Sequence, residues 1–368
     1  MKKVSRTWRM GPLYWTLALL PVVLTVGTTR AQVPTPSANV SVFATGLDNP
    51  RGLKFGPDGN LYVAEGGRGG PTSTVGTCPQ VIPPVGPYTS GPTARISRIN
   101  SSGIRATVVE GLPSSQTSPA LGSLVSGVAD VAFIGDTLYA LLAGAGCSHG
   151  VAGVPNGVIR VNRGNGTWNL VADLSTFIMA HPVANPEPDD FEPDGTWYSM
   201  IEVRNKLYVV EPNHGEMDVV TPGGGVSRVI DVSASQGHVV PTAVALHGNF
   251  YLGNLGLFPV TPGTSNIYKV TPSGQIKVVV PEMTTVLGVA FDHEGRLYVL
   301  ETSDANGFPT PGAGKVLRVG HSGEVETIAS GLTFPTAMTF GPDGNLYASH
   351  FGFGFPPGAG QVVRIQVP

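Results

Sequence analysis

Cysteine is nearly absent. Cys78 and Cys147 are the only two in 368 residues, too few for a disulfide-built scaffold or for paired-cysteine metal spacing. Charge is sparse as well: charged residues make up 13% and the formal net charge is −3, which leaves no basic footprint for nucleic acid. Runs rich in Ala, Glu, Lys and Leu are few, and no amphipathic helical pattern stands out after residue 30, so strands must supply the fold. Long hydrophobic runs are limited to Leu13–Val26, where about 14 residues interrupted by Pro21 are short for a membrane span. Lys2, Lys3, Arg6 and Arg9 precede that run, and Thr29-Arg30-Ala31 follows it. This pattern predicts a secretory signal peptide over 1–31, cut after Ala31, with an uncleaved anchor as the alternative. The expectation is therefore a secreted or periplasmic protein with no membrane span after cleavage and a flexible mature N-terminus over 32–39. No Cys follows the run, which argues against a lipid anchor. Export permits a disulfide, and a Cys78–Cys147 bridge is expected because both residues fall in loops assigned below to one face. Two separate thiols are the alternative.

What the chain has instead is glycine, 50 residues, and proline, 33, as expected where many short strands are joined by tight turns. It also repeats itself. Gly56-Pro57-Asp58-Gly59-Asn60-Leu61-Tyr62 returns letter for letter as Gly341–Tyr347, with looser copies at Leu138-Tyr139, Leu207-Tyr208, Phe250-Tyr251 and Leu297-Tyr298. Self-similarity on a period of roughly 40–50 residues marks a radial or stacked repeat architecture. Each copy reads as an apolar strand, a Gly/Asp/Asn turn, the Leu-Tyr strand, a third strand such as Ala94–Ile99 or Val316–Val319, another tight turn, and a fourth strand. Four antiparallel strands repeated six times predict an all-β fold, a six-bladed β-propeller over 40–368. The sixth repeat stops after its third strand, and Val40–Ala44, followed by Gly46-Leu47, is the expected substitute. The N-terminal strand should pair with Val362–Ile365 and close the ring.

In an up-and-down blade the first-to-second and third-to-fourth turns share one face, and all other connections share the opposite face. The second group holds every long segment, including Glu65–Thr93, Gly111–Gly127, Ala143–Gly157, Ser175–Thr196, Thr302–Gly314 and Phe351–Gly360. Long loops on a rigid scaffold are where binding usually sits. Three places after each repeated Tyr or its equivalent stand Glu65, Leu142, Glu211, Asn254, Glu301 and His350. On this reading they ring the channel mouth on the long-loop face. Two interpretations compete. Polar residues at strand ends cap loop amides or hold channel water; alternatively a ring of Glu65, Glu211, Glu301 and His350 binds a cation such as Ca²⁺ or Mg²⁺, or does acid–base work. Arg51, at the start of the first inner strand, reads either as a ligand clamp near Glu65 or as a salt bridge within blade 1. Asn213-His214-Gly215-Glu216 follows Glu211 closely, without the spacing of a metal motif. Asp58, Asp343 and Glu294 lie in hairpin turns on the opposite face and are explained by turn chemistry. Phe351–Pro357, with three Phe, reads as an apolar lip.

Asn49-Pro50-Arg51-Gly52-Leu53, Gly56–Glu65, Gly66-Gly67-Arg68-Gly69-Gly70, Pro92–Ile99, Val240-Pro241-Thr242-Ala243-Val244 and Asn254–Pro259 together resemble the ScyD/ScyE family. Its founding members are encoded with scytonemin biosynthesis genes. The resemblance spans about Val40 to Ile365 and implies an exported six-bladed, NHL-like propeller. It carries no catalytic residues over, because none is agreed for the family. The related gluconolactonase/regucalcin group holds a metal with a Glu/Asn/Asn/Asp set at inner-strand starts. Only Asp130 matches here, while Arg51, Trp197, Thr242 and Thr336 occupy the comparable places. A streptogramin-lyase-like arrangement would need His350 with Glu301 or Glu65 and Mg²⁺.

The sequence thus predicts a binding propeller that takes a small molecule, glycan or protein on its long-loop face through Arg51, Glu65, Glu211, Asn254, Glu301 and His350. The alternative is a metal-assisted lyase or lactone hydrolase at the channel mouth.

Overall fold

The Gly-Pro-Asp-Gly-Asn segment makes the same turn at both of its occurrences. Gly56 N–H donates to Asn60 O at 2.8 Å and Gly59 N–H to Gly56 O at 2.9 Å; Gly341 and Gly344 repeat the pair at 2.8 and 3.0 Å. Gly59 and Gly344 sit at φ of +74° and +76°, a conformation that costs an L side chain but not glycine. The following tyrosine folds back onto the turn. The Tyr62 and Tyr347 hydroxyls donate to Asp58 and Asp343 at 2.9 and 3.1 Å, so these carboxylates are turn components.

The computed structural model describes residues 34–368 apart from 187, 189, 190 and 321; the signal segment expected over 1–31 lies outside the described residues. Six antiparallel sheets follow one another along the chain. Their inner strands are Pro50–Phe55, Val128–Ile134, Ser199–Val203, Pro241–His247, Val286–Phe291 and Ala337–Phe340. Each is followed by its Leu-Tyr-type strand: Leu61–Glu65, Thr137–Leu142, Lys206–Glu211, Asn249–Asn254, Leu297–Glu301 and Leu346–His350. The fold is the six-bladed propeller that the repeats predict.

The last sheet has the order Val40–Leu47, Gly360–Ile365, Leu346–His350, Ala337–Phe340. The N-terminal strand pairs antiparallel with Gly360–Ile365, from Val40 opposite Ile365 to Leu47 opposite Gly360. The flexible lead-in expected over 32–39 meets a chain that is tied down from Ser37 onward. Ser37 N–H donates to Ser330 O at 3.0 Å, and the Asn39 amide donates to Ile328 O and Gln366 O at 2.8 and 3.0 Å.

Apolar residues gather in six clusters, one at each blade junction. The cluster that closes the ring joins Ala44 and Leu47 to Leu53, Leu61, Val63 and Ile99 of blade 1 and to Tyr347 and Val362 of blade 6. The repeated tyrosine serves these junctions. Tyr62–Phe133, Tyr251–Phe291, Tyr298–Phe340 and Tyr347–Phe55 are edge-to-face pairs with centroids 4.8–5.1 Å apart, each linking one blade to the next. Such pairs are worth about 0.5–1.5 kcal/mol beyond area burial, so the motif recurs because the same junction recurs.

Several loop segments differ from expectation; two are the largest. The loop expected over Gly111–Gly127 is partly strand: Arg105–Gln116 runs on past the blade, and Ser115 pairs with Ser126 in an added two-residue strand. Within the long segment after residue 174, Leu174–Ala180 is helical, capped by Asp173 accepting from Thr176 N–H at 2.8 Å. A seven-residue helix is too short to show a periodic pattern.

Candidate functional site

The ring residues end their strands on the long-loop face, but each is occupied within its own blade. Glu65 accepts from Asp48 N–H at 2.6 Å, Glu211 from Thr196 N–H at 2.7 Å, Glu301 from Thr284 N–H at 2.7 Å and His350 from Thr333 N–H at 2.8 Å. Asn254 does related work, donating to Val239 O at 2.8 Å and accepting from Asn266 N–H at 2.6 Å. All five are buried. The four amides belong to one structural position, the link that enters an inner strand. In three blades the next residue is non-glycine with positive φ: Asn49 at 51°, Thr285 at 42° and Phe334 at 45°. A bulky residue in that region is strained. The side chain capping the preceding amide helps hold the kink. Leu142, at the blade 2 position, is buried and apolar. Among the described residues no three His, Cys, Asp or Glu side chains are grouped so as to hold a metal ion.

Cross-strand partners of the ring differ from blade to blade. Arg95 stands opposite Glu65 and Lys315 opposite Glu301, with N···O separations of 2.7 and 3.2 Å. Blade 3 places Glu216 opposite Glu211 instead, with Arg228 2.5 Å from Glu216. Burial, then the neighbouring Glu216 charge, holds the Asp218 carboxyl well above the usual range. His214 donates its backbone N–H to Glu211, while its ring contacts Glu192 O, 3.0 Å from Nε2.

His350 Nε2 accepts the Thr333 amide, so the ring proton sits on Nδ1, which faces Gln361 Oε1 at 3.4 Å. Burial pushes this imidazole down to about 4. Because the folded state refuses a proton that the unfolded chain takes up near pH 6.5, stability is lost as pH falls from about 6.5 toward 4, by roughly 3 kcal/mol in full. In His350→Gln, which keeps an acceptor for Thr333 N–H, that stretch of the pH profile is expected to flatten. Urea unfolding of both proteins at pH 7 and pH 4.5 measures it, and parallel profiles would contradict the assignment.

Arg51 does not pair with Glu65, because Arg95 holds the facing register position. Its guanidinium donates to Val125 O at 2.5 Å and meets the Tyr198 hydroxyl. Tyr198 of blade 3 reaches to blade 6 on the far side of the ring, where its hydroxyl donates to Thr336 O at 2.8 Å. Burial pushes this phenol up to about 12. Asp130 of blade 2 lies alongside, accepting from Val131 N–H and Met200 N–H at 2.8 Å each. Burial raises its carboxyl to about 6, against the pull of Lys54. Together these residues form a polar bar across the axial channel.

The long-loop face is braced by the expected Cys78–Cys147 disulfide and by contacts that sequence reading did not find. Tyr88, Ser115, His149 and Glu192 are buried together: Tyr88 donates to Glu192 at 2.6 Å, Ser115 Oγ lies 3.0 Å from His149 Nδ1, and His149 Nε2 lies 3.1 Å from Glu192. Cys147, two residues before His149, forms a disulfide with Cys78. Loops of blades 1 and 2 and the entry to blade 3 are thus fastened together. The phenyl rings of the Phe-rich loop are half-buried, with Phe353 stacked on Phe334 at 4.5 Å and Phe351 against Phe355 at 4.6 Å.

Between blades 4 and 5 the same face carries a cleft of about 570 Å³ lined by Pro262, Gly263, Glu282, Thr284, Asp304 and Lys315. The loops that supply Gly263 and Asp304 are joined by two backbone hydrogen bonds between Val260 and Gly307 at 2.6 and 2.8 Å. They also present Phe258 and Phe308, 50% and 71% exposed, with rings 12° from parallel and centroids 6.5 Å apart.

No protein-family profile matches the chain and no curated protein is similar to it in sequence. Solved structures are similar in fold. A Thermus thermophilus protein assigned as an oxidoreductase (glucose dehydrogenase) is 18% identical with a TM-score of 0.54, over 89% of this chain and 99% of that one. A gluconolactonase of Xanthomonas campestris is 9% identical with a TM-score of 0.52, over 89% of each chain. A glucose dehydrogenase is 13% identical with a TM-score of 0.50, over 89% of this chain and 99% of that one. At these identities the likeness is one of architecture: this chain is a six-bladed propeller of the kind on which those proteins are built.

Proposed function

We propose that the chain is an exported propeller of the ScyD/ScyE type that binds a glycan on its long-loop face, in the cleft between blades 4 and 5. The observation that carries this reading is that the two loops bordering the cleft also carry an exposed aromatic pair. The cleft offers Glu282 and the Asp304–Lys315 ion pair, 3.1 Å apart, to hydroxyl groups, and Phe258 and Phe308 on its bordering loops offer exposed, nearly parallel rings to the apolar faces of sugars. Exposed aromatic residues next to convergent polar groups are uncommon unless something is bound there. Export is supported by the apolar segment near the N-terminus and by the Cys78–Cys147 disulfide, which belongs to an oxidising compartment.

The alternative, a lyase or lactone hydrolase assisted by Ca²⁺ or Mg²⁺ at Glu65, Glu211, Glu301 and His350, has on its side only a shared fold with a gluconolactonase. Against it stands the use of all four side chains as amide acceptors. Asp130, the position comparable to a lactonase ligand, already accepts from two amides.

Affinity electrophoresis through gels containing soluble polysaccharides tests the proposal. Retardation by at least one polysaccharide is expected, reduced tenfold or more in apparent affinity by Phe308→Ala and by Asp304→Asn. Equal mobility of all three proteins in every gel would overturn it.

A further inference from the structure

The axial channel also has a recess at its other end. On the short-hairpin side, the final residues of all six inner strands line a cavity of about 380 Å³. That volume lies in the range of small-molecule sites. Its wall is mixed: Ala132, Val244, Val289 and Met338 are among its apolar residues, backbone polar groups share the surface, and its charged residues are Lys54 and Glu202. Glu202 is exposed and accepts from Asn205 N–H at 2.7 Å, so it stands outside the apolar part.

Lys54 is the unusual member. It is half-buried, and among the described residues its ammonium has neither an ion pair nor a hydrogen bond. Asp130 is close enough to feel its charge, but both Asp130 oxygens are engaged by the Val131 and Met200 amides. A half-buried ammonium whose only nearby carboxylate makes no direct contact with it is left with donors to offer an anion. A flexible lysine stem can also lay its apolar length along the wall and keep its head free.

We infer that this recess binds a small amphipathic monocarboxylate, with its head group on Lys54 and its apolar tail against Val244, Val289 and Met338. The single ammonium decides the charge of the ligand. A phosphate dianion would call for a second cation or an arginine fork, and none lines the cavity. Glu202 at the rim further disfavours polyanions. The site is independent of the glycan cleft, since the two open on opposite faces of the ring.

Isothermal titration calorimetry of the purified protein with sodium decanoate tests the inference. The expected result is saturable 1:1 binding, weakened tenfold or more in Lys54→Met and kept within a few-fold in Lys54→Arg. Methyl decanoate, which lacks the charge, should bind as weakly as decanoate binds to Lys54→Met. Thermal melting of each variant shows whether the fold is kept. Phe308→Ala should leave decanoate binding unchanged, so failure here and failure of the glycan reading are separate outcomes. Absence of saturable decanoate binding, or equal affinity in Lys54→Met with an unchanged melting point, would overturn the inference.

Discussion

A chain lacking Val40–Leu47 is expected to lose most of its stability and to associate in solution. The segment contributes the fourth strand of blade 6, and Leu47 and Ala44 are buried in the junction with blade 1. Losing a ladder of hydrogen bonds at about 0.5–1.5 kcal/mol each, and a buried leucine at about 1.5–3 kcal/mol, sums to about 5 kcal/mol or more. That is a large part of the margin of a typical domain. The deletion also bares the Gly360–Ile365 edge, which has Val362, Val363 and Ile365 buried along it and would pair with other chains. A single substitution separates the two effects. Leu47→Ala should cost about 2–5 kcal/mol by leaving a cavity while keeping the edge covered and the protein monomeric. Urea unfolding and size-exclusion chromatography read both. An unchanged midpoint in the deleted chain would contradict closure.

The second large effect is expected at Glu65. It accepts from three donors: Asp48 N–H, Arg95 at 2.8 Å and Ser97 at 2.5 Å. Arg95 also donates to Gly46 O at 2.9 Å and lies 3.4 Å from Asp48, which Arg68 contacts at 2.9 Å. One carboxylate therefore joins blade 1 to the closing strand. Glu65→Ala takes the acceptor from a buried amide and from one edge of a mostly buried guanidinium that keeps Gly46 O and Asp48, so the loss should lie near the lower end of the about 3–5 kcal/mol that breaking a buried pair costs. Glu211 accepts two amides but has no basic residue opposite it, so Glu211→Ala should cost less, about 1–3 kcal/mol. Chemical denaturation of both variants tests the ranking. Equal, small losses would mean that the ring does not hold the blade links.

Legibility of this molecule in its sequence follows contact range. The Asp58 and Asp343 turns are made within five residues, and both are plain in the repeated heptapeptide. The ring is reached by counting three places from each repeated tyrosine. Its amide partners lie only 15–17 residues upstream, so capping is a reading the sequence already offers. Closure is legible because the sixth repeat lacks a strand that the N-terminus can supply. Contacts between distant blades leave no such trace. Nothing local tells Tyr198 that it will meet Thr336 O, 138 residues away, or tells His149 that Glu192 will face it. The exposed Phe258–Phe308 pair depends on two loops of adjacent blades finding one another through Val260 and Gly307. Arg51 illustrates the limit: its place at a strand start is clear, but its partner is not, because the register gives Glu65 to Arg95.

The strand-end residues are spent on the links between blades, and amide hydrogen exchange tests this most directly. The amides of Asp48, Thr196, Thr284 and Thr333 are predicted to exchange only through global unfolding, at rates unchanged by millimolar Ca²⁺ or Mg²⁺. Fast exchange at these four positions, or protection that appears only when the metal is added, would contradict it.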